Sequence, residues 1–402
     1  MPEVASPRNR WLECDIFIWM PLDYRSPRFT RRNALSLLGL GAAAAALPEF
    51  ASAAAPSFPK GAVIRTVLKD YAPEDLAGGA TLFHEHMSVA PDFMTRWGGY
   101  SMAARAANAV GAPGGPAPGT GRASAPPASA PPPPAFVMAD VELMAAEMRA
   151  AKSEGIACIV DGGHPDMGRD INFLRQISQK SGLPIVAGGG FYSQPFYPKE
   201  IATMSEDQIF RALVKQVEDE PVGVFGEIGS WDDITKDERK VFRAMGRAHL
   251  ATNLSIFTHT GIPGKSAMEQ LDILEDAGVN PNRVVIGHVG NLVDARIEVH
   301  RALCRRGAFI GFDRQGGGGD AQQVPMVMGL IEAGYADNLM FSSDLSGANQ
   351  MKMNKGAGYA KTLTVFVPKV KAAGATDEVL RGIMVDNPRR FLAFVPKKAR
   401  KA

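Results

Sequence analysis

The segments LSIFTH at residues 254–259 and RVVIGH at residues 283–288 decide the fold of this 402-residue chain. Each is a short run of mostly apolar residues that ends in a histidine, and residues 267–277 between them have the apolar spacing of a helix. Strands that are apolar throughout are typical of parallel sheets, in which both faces are buried. The two segments therefore predict a strand–helix–strand unit with parallel strands.

The same unit repeats along most of the chain. One further strand precedes His84, and helical patterns separate the other apolar strand segments, at residues 156–161, 184–188, 222–227, 307–313 and 338–344. Eight strand–helix units over about 330 residues predict a (β/α)8 TIM barrel. A doubly wound open α/β sheet is the alternative.

Composition and charge limit the kinds of partner that this chain is expected to bind. The chain is 46% hydrophobic and 21% charged, and its 44 basic and 42 acidic residues give a formal net charge of +2. A near-neutral chain offers no electrostatic basis for binding nucleic acid or an anionic membrane. Cys158 and Cys304 lie in apolar patterns, which favour two buried thiols over a disulfide.

Residues 1–53 have the pattern of a twin-arginine signal peptide. The pair Arg31-Arg32 precedes an apolar run at residues 35–47, and Ala51-Ser52-Ala53 is a small-x-small cleavage site. The run is too short to span a bilayer as a stable helix, so no membrane insertion is expected. The pattern predicts a periplasmic or secreted protein, and an amphipathic N-terminal helix is the alternative.

Residues 54–402 form the predicted barrel domain, with one biased segment inside it. Residues 104–135 are rich in Ala, Pro and Gly and end in four prolines at residues 131–134. Such a composition cannot bury enough apolar surface to order itself. We interpret it as a disordered insertion, because the strand–helix pattern continues after it, and an interdomain linker is the alternative.

The residues that carry chemistry lie where predicted strands end. Side chains at i and i+2 of a strand point to the same face, so His84 and His86 can bind one divalent ion together. Glu85 points to the other face and is expected to be a support. Active sites of barrels lie at the C-terminal ends of the strands. Later strands end in Glu227, His259, His288 and Asp344.

The number of these residues predicts two metal ions. A catalytic tetrahedral ion normally takes three protein ligands, fewer than four imidazoles and two carboxylates supply. Two ions that share a carboxylate can activate one water between them. A structural zinc site, the alternative, favours four ligands and often cysteine, and neither Cys158 nor Cys304 ends a strand.

Several motifs together resemble a known family. Between about residues 66 and 394 the chain contains, in order, His84-x-His86, Gly168-Arg169-Asp170 with Ile177-Ser178, Gly190-Phe191-Tyr192, Gly226-Glu227-Ile228-Gly229, Thr258-His259-Thr260, Gly287-His288 and Ser343-Asp344. This set resembles the phosphotriesterase family of the amidohydrolase superfamily. The resemblance implies a (β/α)8 barrel with a binuclear centre, usually of zinc, and often a homodimer.

The resemblance also implies roles for the ligands. His84, His86 and Asp344 would hold the more buried ion, and His259 and His288 the more exposed one. The best-known members bridge their ions with a carbamylated lysine, but the fourth strand here has no lysine at its tip. Glu227 is therefore expected to bridge, as in the glutamate-bridged branch of the family.

The implied reaction is attack on a substrate by a metal-bridging hydroxide. Asp344 would take the proton of that hydroxide and relay it. The first expectation is a lactone or carboxylic ester, and a phosphotriester or an amide is the alternative. A non-catalytic barrel that retained its metal is a more distant one. Other divalent ions, namely Mn, Co or Fe, suit the same ligands as zinc.

Loop residues after the strands are expected to form the pocket for this small-molecule substrate. The candidates are Tyr192, Trp231 and Arg314, and the glycine run 316–319 is interpreted as a mobile lid. His164 is left open between pocket and surface, and Arg169 is interpreted as structural. His249 and His300 lie in helical patterns and are expected at the surface or at helix caps.

Overall fold

The computed structural model describes residues 56–110, 137–261, 266–292, 294 and 296–397. The predicted signal peptide at residues 1–53 lies outside the described residues. So does most of the predicted insertion, residues 111–136, whereas its first residues, 104–110, are the end of a helix.

Eight parallel strands form the central sheet, and their order in space is their order along the chain. The predicted strand positions are confirmed to within a few residues. The strands are β1 (Ala80–Glu85), β2 (Ile156–Asp161), β3 (Ile185–Gly189), β4 (Val222–Ser230), β5 (Ile256–Thr260), β6 (Val284–Ile286), β7 (Phe309–Phe312) and β8 (Leu339–Phe341).

The sheet curls until its two edges meet. The backbone N–H of Asp344, just beyond β8, donates to the carbonyl of His84 in β1 at 3.1 Å, and the N–H of His86 donates to the carbonyl of Leu345 at 3.1 Å. A doubly wound sheet would reverse its strand order at a switch point, and this order has no reversal. The predicted (β/α)8 barrel is confirmed, and the open-sheet alternative is wrong.

Helices connect the strands and cover the outside of the barrel. Several begin at polar caps: Asp140 and Asp170 each accept two backbone N–H groups, and Ser205 and Thr235 form capping boxes. The helices are α1 (Phe93–Val110), α2 (Val141–Ser153), α3 (Ile171–Ser181), α4 (Glu206–Asp219), α5 (Lys236–Thr252), α6 (Ala267–Asp276), α7 (Glu298–Arg305), α8 (Asp320–Glu332), α9 (Val367–Ala372), α10 (Asp377–Arg381) and α11 (Asn387–Leu392).

The C-terminal helix differs from its prediction. The sequence places its end at Val385, before Asn387-Pro388. The chain instead passes from α10 through a wider π turn at Gly382–Asp386 directly into α11. Pro388, which cannot donate a backbone hydrogen bond, therefore lies within a continuous helical stretch, directly after the π turn.

The apolar core has two layers, inside the barrel and between barrel and helices. Phe83, Val186 and Phe257 are fully buried in the interior layer. Both described cysteines are buried free thiols, Cys158 in the interior layer and Cys304 in the outer one, which confirms that prediction. Among the helices that the structure describes, none combines the length and hydropathy that crossing a membrane requires.

Candidate metal centre and its cavity

The first group of candidate ligands lies where β1 ends beside β4 and β8. Nε2 of His84 is 3.2 Å from Oε2 of Glu227, and Nε2 of His86 is 3.3 Å from Oε1 of the same carboxylate. Asp344 completes the group, with Oδ1 3.2 Å from Nε2 of His86 and 3.8 Å from Nε2 of His84. Two imidazoles and two carboxylates therefore face one small volume.

The second group shares Glu227 with the first. Nδ1 of His259 is 2.9 Å from Oε2 of Glu227, and Nε2 of His288 is 3.4 Å from the same oxygen. The two ring nitrogens are 2.9 Å apart. Glu227 thus contacts all four histidines of the two groups.

The electrostatics of the two groups differ. Burial disfavours a charged Glu227, but the nearby His84 and His259 outweigh it and hold its pKa well below the usual range. Burial also acts against a charged His86, yet Asp344 and Glu227 raise its pKa to about 10. Burial, His288 and Arg314 lower the pKa of His259 to about 4, so this ring is neutral and keeps a lone pair for a cation.

The donor atoms fit divalent metal ions. In each of the sets His84–His86–Glu227 and Glu227–His259–His288, one ligand atom per residue can be chosen such that all lie within 4.8 Å of one another. Nε2 of His84 is buried without a hydrogen-bond partner among the described residues, as expected of a nitrogen that is meant to ligate. Imidazole and carboxylate are the ligands that catalytic zinc and similar ions use.

Asp313, at the end of β7, orients one histidine of each group. Its Oδ2 accepts from Nδ1 of His84 at 3.0 Å, and its Oδ1 accepts from Nδ1 of His288 at 2.8 Å. These bonds turn both Nε2 atoms toward the centre, and such carboxylate supports also raise ligand basicity. Sequence reasoning missed Asp313, although it ends a strand as the other candidates do.

Glu85 is a support, as predicted. Its Oε1 accepts from the Ser342 hydroxyl at 2.8 Å and from the Ser343 N–H at 2.7 Å, while Oε2 accepts from the Leu345 N–H at 2.8 Å. Burial raises the pKa of Glu85 to about 7 despite these bonds. The carboxylate ties the end of β8 to β1 and so positions Asp344 beside His84 and His86.

The backbone is irregular where ligands are presented. The pairing of β1 with β2 shifts register between Leu82 and Glu85, and that of β4 with β5 shifts between Phe225 and Ile228. Irregularities of this kind change the direction of side chains near active sites. His288 and Asp344 adopt left-handed φ values of 60° and 48°. Side chains other than glycine hold such values at a cost of about 1–3 kcal/mol each, and such residues cluster at functional sites.

A cavity of about 550 Å³ opens onto the centre. Tyr192 and Arg314, two of the predicted pocket residues, line it. The Tyr192 hydroxyl is 3.0 Å from Nδ1 of His259 and accepts from Nε1 of Trp97, and Nε of Arg314 donates to Oδ2 of Asp344 at 2.9 Å. Trp231 packs beside the site, 6.2 Å from the His259 ring, but is not among the lining residues.

The glycine run 316–319 also lines the cavity, as the lid interpretation requires, and its mobility stays a prediction. Sequence reasoning missed other lining residues, including Trp97, Gln315 and Lys361. Trp97 and Lys361 lie in segments whose apolar and polar patterns resemble ordinary helix and loop. Their sequence gives no signal that a cavity adjoins them.

The remaining histidines are buried. His164 lies beneath the surface, 3.4 Å from Asp166, and does not line the cavity. His249 and His300 were expected at the surface or at helix caps. Both are buried, so the expectation of a surface position is wrong. Nδ1 of His249 bonds to the carbonyl of Leu254 at 2.6 Å, and Nε2 of His300 bonds to the carbonyl of Val289 at 2.9 Å. Arg169 pairs with Glu220, consistent with a structural role.

Comparison with known proteins places these features in a family. Residues 64–392 match the model of the phosphotriesterase family. The chain is 29% identical over 275 residues to the N-acetyltaurine hydrolase of Dictyostelium discoideum, covering 64% of this chain and 74% of that protein. It also resembles the structure of the phosphotriesterase homology protein of Escherichia coli, solved with phosphate in its active site. That match has a TM-score of 0.65 and 25% identity, covering 80% of this chain and all of the other.

A solved lactonase from Listeria monocytogenes is a further structural neighbour. Its TM-score is 0.66 at 24% identity, over 82% of this chain and 98% of the lactonase. At this identity the likeness concerns the fold alone.

Proposed function

Because this chain belongs to the phosphotriesterase family and is a hydrolase, we propose that it cleaves a carboxylic acyl bond with the help of two divalent metal ions. A lactone or ester is the first candidate substrate class, and an amide is the second. The observation that carries the proposal is the shared carboxylate of Glu227. Its Oε1 faces His86, and its Oε2 faces His84, His259 and His288.

The residues present suit a binuclear centre. His84, His86 and Asp344 would hold one ion, His259 and His288 the other, and Glu227 both. Ions bound there would supply an activated water and a Lewis acid for the substrate oxygen. Zinc is the proposed metal, because imidazole and carboxylate are its usual catalytic ligands, and metal analysis of the purified protein tests this.

Asp344 is the proposed proton carrier. Burial opposes its ionisation, but His84, His86 and Arg314 outweigh burial and hold its pKa well below the usual range. Asp344 lines the cavity, and its Oδ2 accepts from Nε of Arg314 at 2.9 Å. The ionised carboxylate can accept a proton from the attacking water and return it to the leaving group.

Arg314 and Tyr192 are the proposed substrate-facing residues. Both line the cavity, and each is held by a partner: Arg314 by Asp344, and Tyr192 by the N–H of Trp97. Groups held in place lose little entropy when a substrate binds, which favours a defined pose for the acyl carbonyl.

The amide class has specific support, since N-acetyltaurine is an amide and its hydrolase in Dictyostelium discoideum is 29% identical to this chain. The test is turnover of a panel of lactones, esters, amides and phosphotriesters by the metal-loaded protein. Turnover of lactones, esters or amides supports the proposal. A preference for phosphotriesters would replace it with the alternative chemistry. A metal-replete protein inert to all four classes would favour a binding barrel.

A further inference from the structure

Lys361 is a buried cation in the wall of the active-site cavity. It is only 9% exposed, and its Nζ donates to Oε1 of Gln350 at 2.6 Å. Within the described residues no carboxylate oxygen lies within 4.0 Å of this Nζ. An ammonium group has three N–H donors, and a buried charge is costly unless it is paired. Lys361 therefore has unused N–H donors and an unpaired positive charge that a ligand could engage.

Gln315 is a second buried polar group on the same cavity. It is 1% exposed, and neither its amide oxygen nor its amide nitrogen has a hydrogen-bond partner among the described residues. Buried amides are normally paired, so an unpaired one in a cavity wall calls for a partner from the ligand. Its N–H2 group is thus an unused donor on the same cavity that Lys361 lines.

The glycine run helps to position the lysine. Gly316 has a φ of 76°, which side chains other than glycine rarely adopt, and a Cβ there would lie 3.1 Å from Cγ and Cδ of Lys361, so the lysine stem packs closely against this backbone. The N–H of Gly316 donates to Oδ1 of Asp320 at 2.9 Å, which holds the loop in place. Lys361 is thus held by packing rather than being a flexible surface lysine.

The other charges of the cavity are already engaged. Glu227 and Asp344, the carboxylates among the described lining residues, face the histidines, and Arg314 is bonded to Asp344. Burial lowers the pKa of Lys361, while Glu85, Asp344 and Asp320 act in the opposite sense from a distance. Lys361 is the lining cation of the described cavity that lacks a close carboxylate.

We propose that Lys361 and Gln315 form a subsite for an oxyanion group, so that the substrate is an acyl compound with a carboxylate or sulfonate away from the scissile bond. The assignment of substrate class rests on the proposed hydrolase function. The subsite itself does not, because it can bind a small anion without turnover.

Calorimetric titration of the metal-loaded protein with ethanesulfonate, propionate and propionamide tests the subsite. These probes are similar in size, and only the first two are charged. We expect at least one anion to bind about tenfold more tightly than the neutral amide, a difference typical of a charge-assisted hydrogen bond. Comparison of the two anions tells a sulfonate subsite from a carboxylate one. Absence of any preference for anions in the unmodified protein would overturn the proposal.

The variant Lys361→Met keeps the side-chain length and removes the charge. We expect it to lose most of the preference, leaving about threefold or less. The control Lys371→Met alters a lysine in α9 that is 56% exposed and paired with Asp377, and it should keep the preference. If Lys361→Met keeps the preference in full, the anion binds elsewhere, such as directly at the metal centre, and the proposal is wrong.

Gln315→Leu gives an independent test should Lys361→Met fail to fold, which thermal unfolding would reveal. Removing an unpaired buried amide does not leave another group unsatisfied, so the fold should persist. We expect anion binding to weaken about threefold or more while propionamide binding changes less. Unchanged anion binding in a folded Gln315→Leu protein would exclude Gln315 from the subsite.

The panel of substrates separates this inference from the proposed function. If acyl compounds are hydrolysed without any preference for an anionic tail, the hydrolase proposal stands and the subsite proposal fails. If anions bind through Lys361 but nothing is hydrolysed, the subsite proposal stands and the hydrolase proposal fails.

Discussion

At the scale of single residues, Asp344 links the metal ligands to the cavity. One carboxylate oxygen lies beside His86 and the other bonds Arg314. The residue holds a left-handed backbone conformation that asparagine and aspartate tolerate better than most side chains. Substitution by asparagine therefore changes the chemistry of the side chain with little effect on its placement.

We expect Asp344→Asn to lower kcat by a factor of about 10²–10⁴, because the amide cannot accept the proton. The thermal unfolding midpoint, measured with metal present, should change little. Asp337→Asn, at an aspartate whose side chain is 73% exposed, is the matched control. A rate near that of the unmodified protein would exclude Asp344 as proton carrier.

We expect Glu227→Ala to lower the bound metal from about two ions per chain toward one, because its carboxylate lies between the two groups of histidines, 3.2 Å from Nε2 of His84 and 2.9 Å from Nδ1 of His259. Elemental analysis of the dialysed protein measures this. Glu332→Ala, at an exposed glutamate of α8, should retain the full content. Retention of both ions and of activity in Glu227→Ala would show that the bridging assignment is wrong.

At the scale of elements, the site depends on connections between strand ends that are far apart in sequence. Asp313 at the end of β7 bonds histidines that follow β6 and lie in β1, and Glu85 of β1 bonds the chain just beyond β8. The barrel closes at the same place where the ligands converge. Positioning of the ligands and closure of the barrel therefore share the same contacts.

We expect Asp313→Asn to weaken metal affinity about 10–100-fold, since one amide oxygen cannot accept from both histidines as the carboxylate does. Activity should fall at limiting metal and recover when excess metal is added. That recovery distinguishes a positioning residue from one that takes part in the reaction. A metal affinity equal to that of the unmodified protein would contradict the assignment.

At the scale of the whole molecule, metal binding and stability are coupled, because the buried imidazoles and carboxylates are fully satisfied only around a cation. A ligand that binds the native state at 1,000 times its Kd adds about 4 kcal/mol of stability. We expect chelation to lower the thermal unfolding midpoint by about 5–10 °C and to abolish activity. Calorimetry before and after addition of zinc measures both changes, and a midpoint insensitive to metal would argue against a native centre.

Export of the protein from the cytoplasm is a separate proposal, because it rests on residues 1–53, which lie outside the described structure. We propose that the chain leaves the cytoplasm by the twin-arginine route and is cleaved after Ala53. Arg31→Lys combined with Arg32→Lys should retain the protein inside the cell, which fractionation and N-terminal sequencing would detect. Export of this double variant at the original level would overturn the proposal. Homodimer formation likewise stays a prediction.

The sequence by itself determined the barrel and the candidate ligands. Continuous apolar strands alternating with helices specify parallel pairing, and parallel strands bring their C-terminal ends to one rim, so His84, His86, Glu227, His259, His288 and Asp344 could be grouped without coordinates. Their local spacing carries this information. The support role of Glu85 followed from the same alternation of side chains.

Only the tertiary structure decided which further side chains meet at that rim. Asp313 and His84 are 229 positions apart, and their contact depends on how β7 and β1 approach across the closed barrel. The lack of a hydrogen-bond partner for the Gln315 amide and the lack of a carboxylate beside Lys361, within the described residues, are likewise properties of their surroundings rather than of their residue types. Burial and hydrogen-bond partners are set by packing between distant segments, and no local pattern in the sequence encodes them.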